Sequence, residues 1–156
     1  ETMLAGDTTQ TLTIRGYDIY HQPMTETIAL NGTNTVNSVK AWKYITSITA
    51  SAVSAGNVTV GTTDVFGIPL RVDQFEHTNI YWAGALITAN AGFTAAVLTS
   101  PATATTGDVR GTYLVQGTAS DGTRRLVLAT RPAVREAMLA TPTNTAPLYG
   151  VTQFTG

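Results

Sequence analysis

Two segments of the chain share one spacing of strand-forming and turn-forming residues. They are residues 11–24 (TLTIRGYDIYHQPM) and residues 57–70 (NVTVGTTDVFGIPL). With Asp18 aligned on Asp64, aliphatic residues, one aromatic residue and one proline recur in register. Thr and β-branched residues favour strands, Asp favours turns, and Pro marks a strand start or a sheet edge. We therefore expect two equivalent β corners, although chance similarity between two Thr-rich hairpins is the alternative.

A strand with a clear turn after it is predicted early in the chain. Residues 24–30 alternate between apolar and polar side chains, as one half-buried strand does. The Asn31-Gly32 pair that follows is the strongest short-range signal for a hairpin turn.

Residues 39–53 form a longer segment of strand character. Trp42 and Tyr44 would share one face, and the apolar phase slips between Ile45 and Ile48, which predicts a bulge or a bend. A helix over the first ten of these residues is the competing interpretation, but β-branched residues lower helix propensity. We therefore expect an irregular strand.

The most apolar third of the chain contains residues 79–87, which predict one strand. Tyr81 and Trp82 would lie on opposite faces of it, with one of the two in the core. Gly84 would weaken the middle of the strand or allow another backbone to come close.

The segments that follow continue the alternation of strands and turns. Residues 99–107 have no periodicity and predict an exposed loop. Residues 108–115 and 124–129 flank a Ser-Asp-Gly turn and predict a hairpin. This spacing of strands and turns indicates an all-β fold, a β-sandwich or jelly-roll-like domain.

The ends of the chain differ from its middle. Residues 1–10 are small and polar and predict an N-terminal arm, while residues 11–130 form the predicted β-sandwich domain. Residues 131–156 predict a C-terminal extension, either an arm or a short helix over residues 131–140.

Composition excludes several classes of function. Charged residues make up 12% of the 156 residues, about half the usual share. The net charge of −1 provides no basic field, so we expect no nucleic-acid partner. The chain contains no Cys, and no apolar run approaches the roughly 20 residues of a membrane helix.

The sequence does not show a catalytic or cofactor-binding pattern. His21 and His77 have no second His at metal-ligand spacing, and the neighbours Glu76 and His77 would point to opposite faces of a strand. Because they recur at matching positions, Asp18 and Asp64 could be considered as the paired carboxylates of a glycosidase. Their equivalent turn positions explain the recurrence without catalysis. We therefore predict no enzyme activity, no catalytic residues, no metal and no cofactor.

Three segments resemble auxiliary virion proteins of tailed bacteriophages, the head decoration or cement proteins encoded near the major capsid protein. The segments are MTETIALNGT, KAWKYITSITASAVSAGNVTVGTTDVFGIPLRV and SPATATTGDVRGTY, and the similarity spans residues 11–129. Its motifs are turns and strands, so no site residue carries over. Residues after 131 fall outside the pattern.

The resemblance implies a β-rich, non-enzymatic protein on the capsid exterior that binds between major capsid protein subunits. It also implies self-association, as a dimer or a trimer. A phage tail or neck subunit and a carbohydrate-binding β-sandwich are the alternatives. A sugar-binding module would need exposed aromatic residues, for which the candidates are Trp42, Tyr44, Tyr81 and Trp82.

Overall fold

The structure is a computed structural model that describes residues 8–99, 101–131 and 149–153. Within these residues the regular structure is almost entirely strand, with one 3-10 helix at Phe75–His77, so the prediction of an all-β fold is confirmed. The strands of the described residues are β1 (Thr11–Tyr17), β2 (Pro23–Ala29), β3 (Tyr44–Ala50), β4 (Val65–Gly67), β5 (Thr78–Trp82), β6 (Ala85–Ile87), β7 (Phe93–Thr94), β8 (Thr112–Leu114) and β9 (Leu126–Thr130).

The strands form three antiparallel sheets of three strands each. Their orders are β2-β1-β3, β4-β8-β7 and β6-β5-β9. In the first sheet β1 is central and pairs with β2 along its whole length, from Thr11 opposite Ala29 to Tyr17 opposite Pro23. The strand predicted at residues 24–30 is therefore confirmed as β2, and its proline opens it.

The chain divides into two compact units. Among the described residues, the first unit comprises 8–63, 103–106 and 153, and the second comprises 64–99, 101–102, 107–131 and 149–152. The first unit contains the sheet of β1 to β3, and its buried apolar side chains are Ile14, Met24 and Leu30. The buried apolar side chains of the second unit are Ile68, Val72, Ile80, Trp82, Ala102, Val109 and Tyr113.

The turn between β1 and β2 has the chemistry predicted for it. Asp18 Oδ1 accepts hydrogen bonds from the backbone amides two and four residues further on, both at 2.8 Å. The second copy differs, because residues 57–64 contain no strand and Asp64 accepts its hydrogen bond from the amide of Ser120 at 3.2 Å. The prediction of two equivalent corners is wrong, since the partner of Asp64 lies 56 residues away.

β3 is shorter than the strand predicted over residues 39–53. It begins two residues after Trp42, so the prediction that Trp42 and Tyr44 share a strand face is wrong. The predicted irregularity is confirmed at Thr46, which has no opposite residue in β1 where the register shifts.

Residues 79–87 belong to two strands rather than one. β5 and β6 are joined by a tight turn at Ala83 and Gly84, whose φ angles are 50° and 84°. Two consecutive positive φ angles are typical of the two-residue turn that suits a twisted hairpin, so Gly84 is a turn residue and not a weak point in a strand. Trp82 is buried, as predicted for one member of its pair with Tyr81.

The predicted hairpin of residues 108–115 and 124–129 is wrong. β8 pairs with β4 and β7, whereas β9 pairs with β5 in a different sheet. The turn signal between them is present, with Gly122 at φ 78°, but the strands on its two sides have other partners.

The described residues of the segment 99–107, which are 99 and 101–107, contain no strand, yet they are not exposed throughout. Ala102 is fully buried, and Ala104 accepts a hydrogen bond from the β2 residue Thr27 at 2.8 Å. Because these contacts are made with distant parts of the chain, local composition could not predict them.

Parts of the predicted ends lie outside the described residues. These are residues 1–7 of the N-terminal arm and, apart from residues 131 and 149–153, the C-terminal extension with its predicted helix. The domain boundaries at residues 10 and 130 and the sandwich arrangement stay predictions. Among the residues that the structure describes, no helix is long and apolar enough to span a membrane.

Candidate binding edge of the first sheet

β3 is an edge strand without charge and without proline. Its sequence is YITSITA, in which the β-branched residues favour an extended backbone. β1 lies on one side of it, and no other described strand pairs with its second side. Natural sheets protect such edges with Lys, Pro or a covering loop, because unpaired N–H and C=O groups can pair with another chain. β3 is therefore a candidate binding surface.

The opposite edge of the same sheet is protected. β2 begins with Pro23, which has no N–H to offer, and the N–H of Thr27 is bound by the carbonyl of Ala104. The covering segment is itself held by Lys40, whose Nζ donates to the carbonyl of Thr103 at 2.8 Å. Only one edge of the described sheet is thus left open to a partner.

β3 is anchored to β1 at both of its ends. The N–H of Lys43 donates to the carbonyl of Tyr17, and the N–H of Ser51 donates to the carbonyl of Thr11, both at 2.9 Å. These bonds hold the open edge in one position, so a partner strand would meet a preformed surface.

The irregular step in the pairing has its own contacts. Thr46 Oγ1 donates to the carbonyl of Arg15 at 3.1 Å, which fixes the bulged residue against β1. Gly16 allows the two backbones to come close, because a Cβ at this position would overlap the backbone oxygen of Tyr44.

The bulge at Thr46 places both isoleucines of β3 on one face of the sheet. Ile48 lies opposite Ile14, and Ile45 lies opposite Gly16. Opposite residues share a face, and residues two apart in β1 share a face, so both isoleucines lie on the face of Ile14. In a regular strand without a bulge, two side chains three positions apart point to opposite faces.

Both isoleucines are exposed although they share a face with a buried residue. Ile45 is 42% exposed and Ile48 is 38% exposed, whereas Ile14 is 6% exposed. Ala50, opposite Leu12, lies on the same face and is also exposed. The apolar interior thus continues into an exposed row of Ile45, Ile48 and Ala50, which we call the β3 stripe.

The other face of β3 carries an aromatic group. The ring of Tyr44 stacks on Tyr17 with 5.1 Å between centroids, and His21 meets Tyr44 edge-on at 5.9 Å. The Nζ of Lys43 lies 2.8 Å from the Nε2 of His21. Because an ammonium group can only donate, Nε2 is the acceptor in this pair.

Trp42 belongs to a different group of side chains. Its Nε1 donates to Ser38 Oγ at 2.9 Å, and Ser38 Oγ donates to Glu26 Oε2. The other carboxyl oxygen of Glu26 accepts from the N–H of Val39 at 2.8 Å. The indole N–H is therefore used inside the first unit, and Trp42 does not form an aromatic platform with Tyr44.

The remaining candidates lie in the second unit and do not converge. Asp64 binds the backbone and the hydroxyl of Ser120. His77 closes the short helix, with its Nδ1 3.5 Å from Asp73 Oδ1. In the described part of the chain, no group of three or more His, Cys, Asp or Glu could hold a metal ion.

Two side chains of the second unit have shifted pKa values with structural causes. Hydrogen bonds from the amide and hydroxyl of Thr123 and from the amide of Arg124 lower the pKa of Asp121 from 3.8 to about 2. Burial raises the pKa of Tyr113 above 10.0, against a smaller lowering effect of the Gln116 backbone. Asp121 stabilises a turn and Tyr113 fills a core, so neither shift points to catalysis.

The β3 stripe was not predicted as a site. The phase slip between Ile45 and Ile48 was the available signal, but it does not tell which residue is extra or which face is exposed. Those facts depend on the pairing with β1, which is a long-range contact.

The chain matches no protein-family model, no curated protein and no solved structure. The β3 stripe and the character of the protein surface are therefore the features that bear on function.

Proposed function

We propose that the chain is a non-enzymatic structural protein of a tailed-bacteriophage virion that decorates and stabilises the capsid. It binds on the capsid exterior between major capsid protein subunits and associates with copies of itself, and it uses no cofactor, nucleic acid or membrane. The observation that supports this proposal is the character of the surface, on which large apolar side chains are exposed while six of the few charged side chains in the described residues are buried.

Six of the charged residues that the structure describes are buried. The chain has nine basic and ten acidic residues. Charged side chains are depleted in the cores of protein interfaces, because each must be stripped of water when a partner covers it. A surface with few charges is therefore suited to being covered by other subunits. The buried charged residues are Asp18, Glu26, Lys40, Arg71, Asp108 and Arg110.

Large apolar side chains are exposed in both units. A single exposed apolar residue is ordinary, whereas several in one protein of this size favour protein–protein contact. Outside the β3 stripe and Tyr44, the exposed large apolar residues are Ile19, Tyr20, Val39, Val53 and Val60 in the first unit, and Leu86, Leu98, Leu114, Val127 and Tyr149 in the second.

The assignment to a phage virion rests on the resemblance of residues 11–129 to auxiliary head proteins. A protein of that class binds a repeated surface through many weak contacts. Linking several copies multiplies those contacts, with gains of about 10²–10⁴ over a single site. Self-association and a charge-poor surface both suit this way of binding.

The proposal is tested by mixing the purified chain with empty capsid shells of the virus that encodes it. We expect the chain to co-sediment with the shells and to raise their melting temperature. Because few charges are exposed, binding should change little between low and high salt, where the Debye length falls from about 30 Å to about 3 Å. A chain that stays in the supernatant at every concentration would overturn the proposal.

Two alternatives give different results in the same series. A tail or neck subunit would bind purified tails and leave empty shells unchanged. A carbohydrate-binding β-sandwich would bind immobilised glycans through Tyr44, the exposed aromatic residue of β3, and would lose that binding on Tyr44→Ala.

A further inference from the structure

We propose that β3 pairs with β3 of a second copy of this chain. The two strands run antiparallel about a two-fold axis at Ile48 and join two three-stranded sheets into one sheet of six strands. The inference deepens the self-association included in the proposed function, but it does not depend on binding to a capsid.

The backbone of β3 has hydrogen-bonding groups on its open side. The bond from the N–H of Ser51 to Thr11 shows that residue 51 faces β1. Since successive residues of an antiparallel strand face opposite neighbours, Ile48 and Ala50 direct their N–H and C=O groups away from β1. An isologous interface needs a strand that can pair with itself, and these groups provide it.

The β3 stripes of the two copies lie on the same face of the joined sheet when the axis passes through Ile48. Ile48 then opposes its own counterpart, and the bulged Thr46 is left without a partner, as it is against β1. The stripes of the two copies become one continuous apolar surface. On each side of the axis, the remaining opposed pairs are Ser47 with Thr49, Ile45 with Ala50, and Tyr44 with Ser51.

Charge does not oppose this pairing. β3 contains no charged residue, and the next residue outward, Lys43, would lie opposite Ala52 of the second copy. The whole chain carries a net charge of only −1, and a net charge near zero favours association. A second copy therefore meets no like-charge repulsion along the strand, whereas a charged partner strand would gain no opposite charge there.

The first test is the solution mass of the full chain, measured by light scattering during size-exclusion chromatography. We expect twice the chain mass of 16.4 kDa. Ile48→Lys places two like charges directly opposite each other and should give single chains. Val127→Lys, at an exposed position of β9, is the matched control and should remain a dimer. Circular dichroism of both variants checks that they are folded.

The second test uses the absence of cysteine from the chain. In Ile48→Cys, the two thiols would face each other across the axis with Cα atoms about 5.5 Å apart, within the range of a disulfide. In Ala50→Cys, the same strand would hold them about 13 Å or more apart, beyond that range. Under mild oxidation we expect Ile48→Cys to form a covalent dimer at least about tenfold faster.

The inference would be overturned if the parent chain had the solution mass of one copy and the two cysteine variants cross-linked at equal rates. A dimer that survives Ile48→Lys would overturn it as well, because the chains would then associate through another surface. No capsid shell is present in either test. Loss of dimerisation with intact shell binding therefore refutes only the β3 pairing, and dimers that ignore shells refute only the proposed function.

Discussion

Gly16 of β1 lies so close to Tyr44 of β3 that a Cβ on residue 16 would overlap the backbone oxygen of Tyr44. The Cα of Ile45 and the ring of Trp42 would also be within 3.0 Å of that atom. Two of these three neighbours are backbone atoms, which cannot move aside without shifting β3. The glycine therefore fixes how closely the open edge strand approaches the centre of its sheet.

Gly16→Ala should destabilise the protein by about 1–3 kcal/mol, as overpacking of a closed site does. Urea unfolding followed by circular dichroism measures the change. Gly61→Ala is the matched control, because a Cβ at that position meets no atom within 4 Å. It should leave stability unchanged or raise it by up to about 1 kcal/mol through the unfolded state. Equal losses in the two variants would contradict the steric explanation.

Ser38→Ala should destabilise the first unit by about 1–3 kcal/mol, because it leaves polar groups without their partner. The variant removes the acceptor of Trp42 Nε1 and a hydrogen bond to the buried carboxyl group of Glu26. Ser47→Ala on exposed β3 is the control and should change stability by no more than about 0.5 kcal/mol. The same unfolding experiment compares them, and a neutral Ser38→Ala would show that the hydroxyl does not support this group.

The hydroxyl group of Tyr113 should contribute less to stability than its ring does. The ring is fully buried, and the hydroxyl makes no hydrogen bond of good geometry. Tyr113→Phe should therefore stay within about 1 kcal/mol of the parent stability, whereas Tyr113→Ala should cost about 3–5 kcal/mol. A large loss in Tyr113→Phe would show that the Gln116 backbone binds the hydroxyl strongly.

The same residue predicts a change at high pH. Burial raises the pKa of Tyr113 above the ordinary value of 10.0, so the folded state holds this proton more tightly than the unfolded state does. The corresponding stability is complete below pH 10.0 and is lost as the pH rises through the folded-state pKa. Unfolding free energy measured above pH 10 should fall more steeply in the parent chain than in Tyr113→Phe. Identical slopes would contradict the shift.

Asp121 should titrate well below the usual range for an aspartate. Hydrogen bonds from Thr123 and Arg124 hold its pKa at about 2, against an ordinary 3.8, and the guanidinium Nε of Arg124 lies 3.1 Å from Oδ2. The depressed pKa means that the turn gains stability above pH 3.8 and loses it as the pH falls through about 2. Carboxyl carbon shifts in an NMR titration measure the pKa, with Asp121→Asn assigning the signal. A midpoint near 4 would contradict the hydrogen bonding of this turn.

Local chemistry was predictable from the sequence where the partner lies a few residues away. The turn at Asp18 and the tight turn after β2 are examples, since Asp18 binds the amides that follow it and Gly32 adopts a φ of 57°. The all-β class followed from the density of β-branched residues and turn signals. Within the described chain, these features are determined by the conformational propensities of the residues and by steric contacts between sequence neighbours.

Long-range partners were not predictable in this way. Asp64 has the same local setting as Asp18, yet it binds Ser120, and β9 pairs with β5 rather than with the nearby β8. The candidate edge shows the same limit, because the sequence revealed an irregularity in β3 but not its exposure. Strand partners are chosen by burial across the whole chain, and a local pattern does not contain that information.

The extra residue at Thr46 makes the apolar character of the β3 edge a matter of residue count rather than of composition. If all seven residues of β3 were paired regularly, the spacing of three would place the two isoleucines on opposite faces, and neither face would present a continuous row. The one-sided row therefore depends on the number of residues between the two isoleucines and on the bulge that absorbs one of them. Moving the bulge out of the segment between the isoleucines would divide the β3 stripe over both faces without altering the overall hydrophobicity, and a comparison based on amino-acid content would not detect the change.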